Sequence, residues 1–185
     1  DPQSVLTMSV LIGIATLTAN LTGRLRVRAT IGARSAHENA AVAGFGQALA
    51  RASDWRTTSE TICSEAARLL GVTVILLDQR DGELACIASA PGPTPELGTV
   101  DRAAADWAWS RGEATGVGTA TLVSADWQFQ PLKTSLGVLG VVGLLAEDGG
   151  NPVGADRAVL LTTLLGQAAL AQERLKLEDQ LRDVS

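Results

Sequence analysis

The sequence predicts an α+β domain: an antiparallel sheet with N- and C-terminal helices packed on one face, preceded by a transmembrane helix. Three observations carry this reading. An uncharged, mostly apolar run occupies Pro2–Gly23, directly ahead of Arg24, Arg26 and Arg28. Strand-like runs come in two adjacent pairs, the arrangement of antiparallel neighbours. Beyond residue 40 the order is helix, helix, strand, strand, helix, strand, strand, helix, so helices from the two ends can share a face.

Hydrophobic residues make up 46% of the 185 and charged residues 19%, against a usual charged share of about 25%. The excess is concentrated in the first run. At 1.5 Å per residue, about 20 helical residues cross a hydrocarbon core of about 30 Å. Ser4, Thr7, Ser9, Thr16, Thr18 and Asn20 interrupt the run, which suits a helix packed among other spans. Arg24, Arg26 and Arg28 flank it, and cationic flanks stay on the cytoplasmic side, so the chain after Gly23 is expected to be cytoplasmic. A signal peptide has its charge before the apolar run, the reverse of this order. A buried apolar helix of a soluble protein is the alternative. The start at Asp1 without Met predicts an excerpt of a longer chain with earlier spans upstream. The expected divisions are a transmembrane helix over 1–23, a basic juxtamembrane linker over 24–37, a sensory domain over 38–172, and the start of a signalling helix over 173–185.

In the body, AAVAGFGQALARA reads as an amphipathic helix. Ser53 or Asp54 offers the N-cap of a second, WRTTSETICSEAARLLG, with Gly71 as its C-cap. VTVILLD is a nearly continuous β-branched apolar run, the mark of a buried strand, and Arg80-Asp81-Gly82 turns it into ELACIASA. PGPTPELG is a loop, VDRAAADWAWSRGE a helix ending near Gly112, and GVGTAT (116–121) a tight connection. WQFQPL and LGVLGVVGLLAE are the last strands, with Gly137, Gly140 and Gly143 marking close backbone approach or bulges. EDGGNP turns the chain into one long helix from about Val153.

The chemical inventory excludes several classes. The body is acidic and the chain holds only two lysines, Lys133 and Lys176, a poor basis for binding nucleic acid. Cys63 and Cys86 stand apart, without a CxxC or a nearby His, which excludes a zinc site and predicts reduced, buried thiols. His37 is the only histidine; a phosphoacceptor histidine is followed by an acidic residue and then Arg-Thr-Pro, whereas Glu38 here is followed by Asn39 and Ala40. No phosphate loop, nucleophile elbow or acidic metal cluster appears, so no catalytic or metal-binding residue is expected. Trp107 and Trp109, two apart on a helix, point in different directions, one into the core and one toward a cleft or solvent. Trp109, Thr119, Thr121 and Lys133 form the candidate ligand set, in which the Lys133 ammonium holds an anion or points to water.

Three segments, TANLTGRLR, ADWAWSRGEATGVGTATL, and QPLK followed by GVLGVVGL, resemble the potassium-responsive bacterial sensor histidine kinases of the KdpD family, over essentially the whole chain. In that family four closely spaced spans precede a GAF-type domain, then a dimerisation and phosphoacceptor helix pair and an ATP-binding domain. The resemblance therefore implies a GAF-like sensory and signal-relay fragment of a membrane two-component system. It implies a parent phosphotransferase whose catalytic residues and ATP belong to a kinase core outside this chain, and no cofactor in the fragment itself. The implied partners are a second copy of the chain, the cognate response regulator through the kinase core, membrane lipid, and a small-molecule or ion ligand. The chain departs from other GAF domains in two places. The cyclic-nucleotide signature (Asn-Lys, then Phe with Asp-Glu) is missing, and Cys86 is followed by Ile87 where a bilin-attaching cysteine is followed by His. A free-standing GAF-type small-molecule-binding domain or sulfoxide reductase is the alternative, and the latter needs accessible cysteines of low pKa.

The long final helix carries two apolar stripes. Leu161, Leu164, Ala168, Ala171 and Leu175 recur at 3-4 spacing, as do Leu170, Leu177, Leu181 and Val184 on an offset seam. The first either packs on the domain's own sheet or pairs with another helix. The second is expected to pair in a parallel homodimer, and the offset between the two suggests a rotation that trades registers.

Overall fold

The computed structural model describes the backbone of residues 2–183 and the side chains of residues 2–12, 14 and 32–183. It comprises two compact units, Asp1–Ala41 and Val42–Ser185.

The first unit is part of helix α1, Pro2–Arg51. The expected linker over 24–37 is helical: the stretch has no proline and holds four arginines and three alanines, which favour helix. Arg34 Nε bonds Glu38 Oε1 at 3.1 Å, one turn on, and His37 is exposed on this helix. No helix among the described residues is long and apolar enough to cross a membrane. Residues 13 and 15–23 of the expected span, and Arg24, Arg26 and Arg28 after it, lie outside the described side chains.

The second unit begins with the end of α1. Helix α2, Trp55–Leu70, is capped by Asp54, whose Oδ1 accepts the Thr57 N–H at 2.8 Å. That bond holds the exposed Asp54 carboxyl below its ordinary pKa. Gly71, at φ +67°, ends the helix, and Arg157 Nη1 donates to the free Leu70 carbonyl at 2.7 Å. Strands β1 (Thr73–Arg80) and β2 (Glu83–Ala90) form the expected hairpin. Helix α3 spans Thr99–Arg111, and β3 is only Thr115–Gly116. β4 (Gln128–Thr134) and β5 (Gly137–Leu145) follow, then a 3-10 turn, Ala155–Arg157, and helix α4, Ala158–Asp183. The five strands lie in the order β2-β1-β5-β4-β3, each pair antiparallel.

Both faces of this sheet are covered, which is why its central strands read as continuous apolar runs. Val74 and Leu76 of β1, with Val142 and Leu144 of β5, meet α1, α2 and α4 through Phe45, Leu49, Ile62, Leu164 and Ala168. The alternate residues Ile75, Leu77 and Val141 face Ala104, Ala105 and Ala108 of α3, with Trp127 and Phe129. Close approach explains two glycines of β5. A Cβ on Gly143 would lie 2.7 Å from Ile75 Cγ1, and one on Gly140 would lie 3.0 Å from Gln172 Oε1.

The first α4 stripe is an intrachain surface: Leu161, Leu164, Ala168, Ala171 and Leu175 are all buried in the domain. It is therefore not a dimer seam, and no exchange of registers between the two stripes follows. The helix also stays docked past residue 172. Leu175 is buried, Ser135 Oγ bonds Glu173 Oε1 at 3.2 Å, and Trp55 Nε1 donates to Asp179 Oδ2 at 2.5 Å. Leu170, Leu177 and Leu181 of the second stripe are exposed, and Val184 lies outside the described residues.

Candidate functional site

The candidate ligand residues of the sequence reading are Trp109, Thr119, Thr121 and Lys133. Trp109 packs half-buried against the α3-side core, while Trp107 faces solvent under the Arg111 guanidinium, 5.2 Å from its ring centroid. Thr119 braces its own loop: its hydroxyl lies 2.8 Å from the Gly116 carbonyl oxygen and 2.9 Å from that of Thr121. Lys133 is exposed on β4, with its ammonium over Gly112. The four do not line the large cavity of the domain.

That cavity, about 510 Å³, lies at the β2 end of the sheet between the hairpin, the loop before α3, and α3 itself. Its floor is apolar, from Leu77, Leu84, Leu97 and Ala105, and continues the α3-side core. Strand alternation puts Leu84 and Cys86 on the floor side, since Cys86 pairs with Leu77. Helical spacing puts Arg102, Ala105 and Asp106 on one face. The loop wall is held from both sides. Arg102 Nε donates to the Leu97 carbonyl at 3.2 Å, and Ser89 Oγ of β2 donates to the Pro93 carbonyl at 3.2 Å. Glu83, Glu96 and Asp106 stand at the exposed rim.

A second polar feature organises the start of α3. Asp101 is 7% exposed, and its Oδ1 accepts the backbone N–H groups of Asp126 and Trp127 at 3.0 and 3.3 Å. It fastens the segment leading into β4 to the first turn of the helix. The sequence reading missed Asp101, although an acidic residue in a first helical turn is a legible signal. It missed the cavity residues because they come from three separate segments that only the fold brings together.

Neither thiol is built for nucleophilic work. Cys63 is fully buried, and desolvation pushes its pKa up to about 12, with Cys86 adding to the shift. Burial also raises Cys86, against the lowering hydrogen bonds of Thr94 and Ala88. Both are thiols, not thiolates, at about neutral pH. We expect Cys86 of the native protein to react with a thiol reagent far more slowly than free cysteine, and Cys63 only as fast as the protein unfolds. Fast stoichiometric labelling of either in the folded state would restore the sulfoxide-reductase alternative.

Comparison with known proteins places this geometry. The family model described as GAF domain matches residues 56–174. The chain belongs to the GAF domain family. This GAF domain is similar to the Sensor protein KdpD of Escherichia coli (strain K12), 28% identical over 191 residues, which is 100% of this chain and 21% of that protein. Sensor protein KdpD of Clostridium acetobutylicum is 34% identical over 74 residues, 40% of this chain and 8% of the relative. The chain thus spans about a fifth, or less, of the curated relatives it matches. Among solved structures, the GAF domain of the Escherichia coli potassium sensor histidine kinase KdpD superposes with a TM-score of 0.62 at 27% identity, over 76% of this chain and 97% of that one. The free methionine-R-sulfoxide reductase of Neisseria meningitidis, at 0.58 and 16% over 78% of this chain and 93% of that one, shares the fold.

Proposed function

We propose that this GAF domain is the sensory and relay module of a membrane-bound sensor histidine kinase of the potassium-responsive type. It acts as a parallel homodimer and passes a stimulus to a kinase core that phosphorylates a response regulator. The similarity over the whole chain to the KdpD of Escherichia coli supports this reading of the parent.

The observation that carries the relay is Arg174. Its Nη2 donates to the Ala52 carbonyl at 3.0 Å and lies 3.5 Å from the Leu49 carbonyl oxygen, at the C-terminal end of α1. Carbonyls there carry the negative end of the helix dipole, so a guanidinium from α4 on the Ala52 carbonyl is a charge-assisted clasp. The entering helix is in direct contact with the leaving one, and displacement of the end of α1 acts on α4 without crossing the sheet.

Two surfaces support the membrane and the dimer. Val5, Leu6, Met8, Val10, Leu11, Ile12 and Ile14 are each exposed by half or more, as befits a helix whose solvent is hydrocarbon. On α4, Leu170 is 65%, Leu177 44% and Leu181 71% exposed, an apolar stripe suited to the same stripe of a second copy.

Cysteine crosslinking in membranes tests both parts. Leu181→Cys and Leu177→Cys are expected to form intermolecular disulfides efficiently and Lys176→Cys poorly. Arg174→Met is expected to change the ratio of crosslinking at Leu181→Cys and Leu177→Cys. Equal or absent crosslinking at all three positions removes the paired helices. A pattern unmoved by Arg174→Met removes the clasp as the route of the signal.

A further inference from the structure

We infer that the cavity between β2, the 91–98 loop and α3 takes a small organic cation, an ammonium group on a short apolar body. This rests on the sensory reading above and names the ligand class of that module.

The shape comes first. About 510 Å³ is within the range of small-molecule sites. The cavity is preformed: Arg102 stitches the loop to α3 through the Leu97 carbonyl, and Ser89 stitches it to β2 through the Pro93 carbonyl. A ligand does not have to order that wall, which lowers the entropy cost of binding. The floor of Leu77, Leu84, Leu97 and Ala105 offers apolar contact and no charge.

Electrostatics then select the class. Three carboxylates line the mouth, Glu83, Glu96 and Asp106. Among the described residues none of the three side chains has an ion pair or a hydrogen bond. Arg102 is the one cation of the lining, and its Nε is already engaged by the loop. The thiol of Cys86 adds no charge, because burial keeps it protonated. The lining is therefore negative around an apolar floor, and a cleft lined by one sign of charge concentrates ions of the other. Phosphates, nucleotides and carboxylates meet repulsion at the rim. A cation with a hydrocarbon tail satisfies both parts: the tail covers the floor and the ammonium reaches the carboxylates.

The test uses the full chain, isotope-labelled, and three probes of nearly equal size: n-butylammonium, 1-butanol and butanoate. Backbone amide shifts are followed during each titration. For n-butylammonium, shifts confined to residues 82–86, 94–97 and 102–106 are expected, with a Kd of about 1–10 mM for so small a probe. 1-Butanol should bind about tenfold more weakly and butanoate not detectably, and the preference should shrink as salt screens the rim. The triple variant Glu83→Gln, Glu96→Gln, Asp106→Asn should reduce n-butylammonium binding to the level of 1-butanol, with the rest of its spectrum unchanged. Absence of localised shifts with n-butylammonium overturns the proposal. So does binding of butanoate as strong as that of the amine, or undiminished amine binding by the triple variant. The crosslinking pattern at Leu181→Cys is a separate readout. If it holds while the amine fails, only the ligand class falls; if it fails while the amine binds, only the relay does.

Discussion

Phe129→Ala is expected to destabilise the domain by about 3–5 kcal/mol, the range for removing a large aromatic side chain from a core. Phe129 has no solvent exposure and stacks on Trp127, with ring centroids 6.4 Å apart and planes 21° from parallel. It also occupies the space above Gly143, where a Cβ would lie 3.1 Å from the ring's Cε1 and 2.7 Å from Ile75 Cγ1. Ring and glycine are thus two halves of one fit. Gly143→Ala alone should cost about 1–3 kcal/mol by overpacking. In the Phe129→Ala background it should cost less, since one of its two obstacles is gone. Urea melts of the two single variants and the double variant, followed by tryptophan fluorescence, measure that coupling. Strict additivity would show that Ile75 alone makes the glycine necessary.

Gly116→Ala is the second large effect, about 3 kcal/mol or more. Gly116 sits at φ +93°, and a Cβ there would lie 1.9 Å from the Trp127 carbonyl oxygen. Strain at such a φ accounts for roughly 1–3 kcal/mol. The clash adds to it, because the obstructing atom is backbone and cannot turn aside. Relief requires β3 to leave β4, breaking the Val117 N–H bond to that same carbonyl, now 3.1 Å long. Gly137 is the control: φ is +101° there, but nothing lies within 4 Å of its added Cβ. Gly137→Ala therefore reports the backbone penalty alone, and Gly116→Ala should exceed it clearly in the same melts. Equal losses would mean that the β3–β4 end yields without cost.

Local signals were legible wherever one segment sufficed. Asp54 and Gly71 bracket α2 because capping chemistry needs only neighbouring residues. The hairpin at Asp81-Gly82 and the glycines of β5 were readable for the same reason. β3 was not, since two residues, Thr115 and Gly116, carry no periodicity and become a strand only by pairing with Phe129 and Gln128. The basic stretch over 24–37 lies within α1, since it has no proline to end the helix.

What the sequence determined by itself was the α+β order of elements, the antiparallel pairing, the two stripes of α4 and the family, because these follow from residues close together in the chain. Only the tertiary structure decided which α4 stripe is buried, since both are apolar and at helical spacing; burial went to the one that meets the sheet and α2. It also decided where a cavity of about 510 Å³ forms, at a site built from β2, the 91–98 loop and α3. A strand lends alternate residues to each face and a helix lends one face in three or four. Which of these faces close on a common space depends on strand order and loop path, and no single segment encodes either.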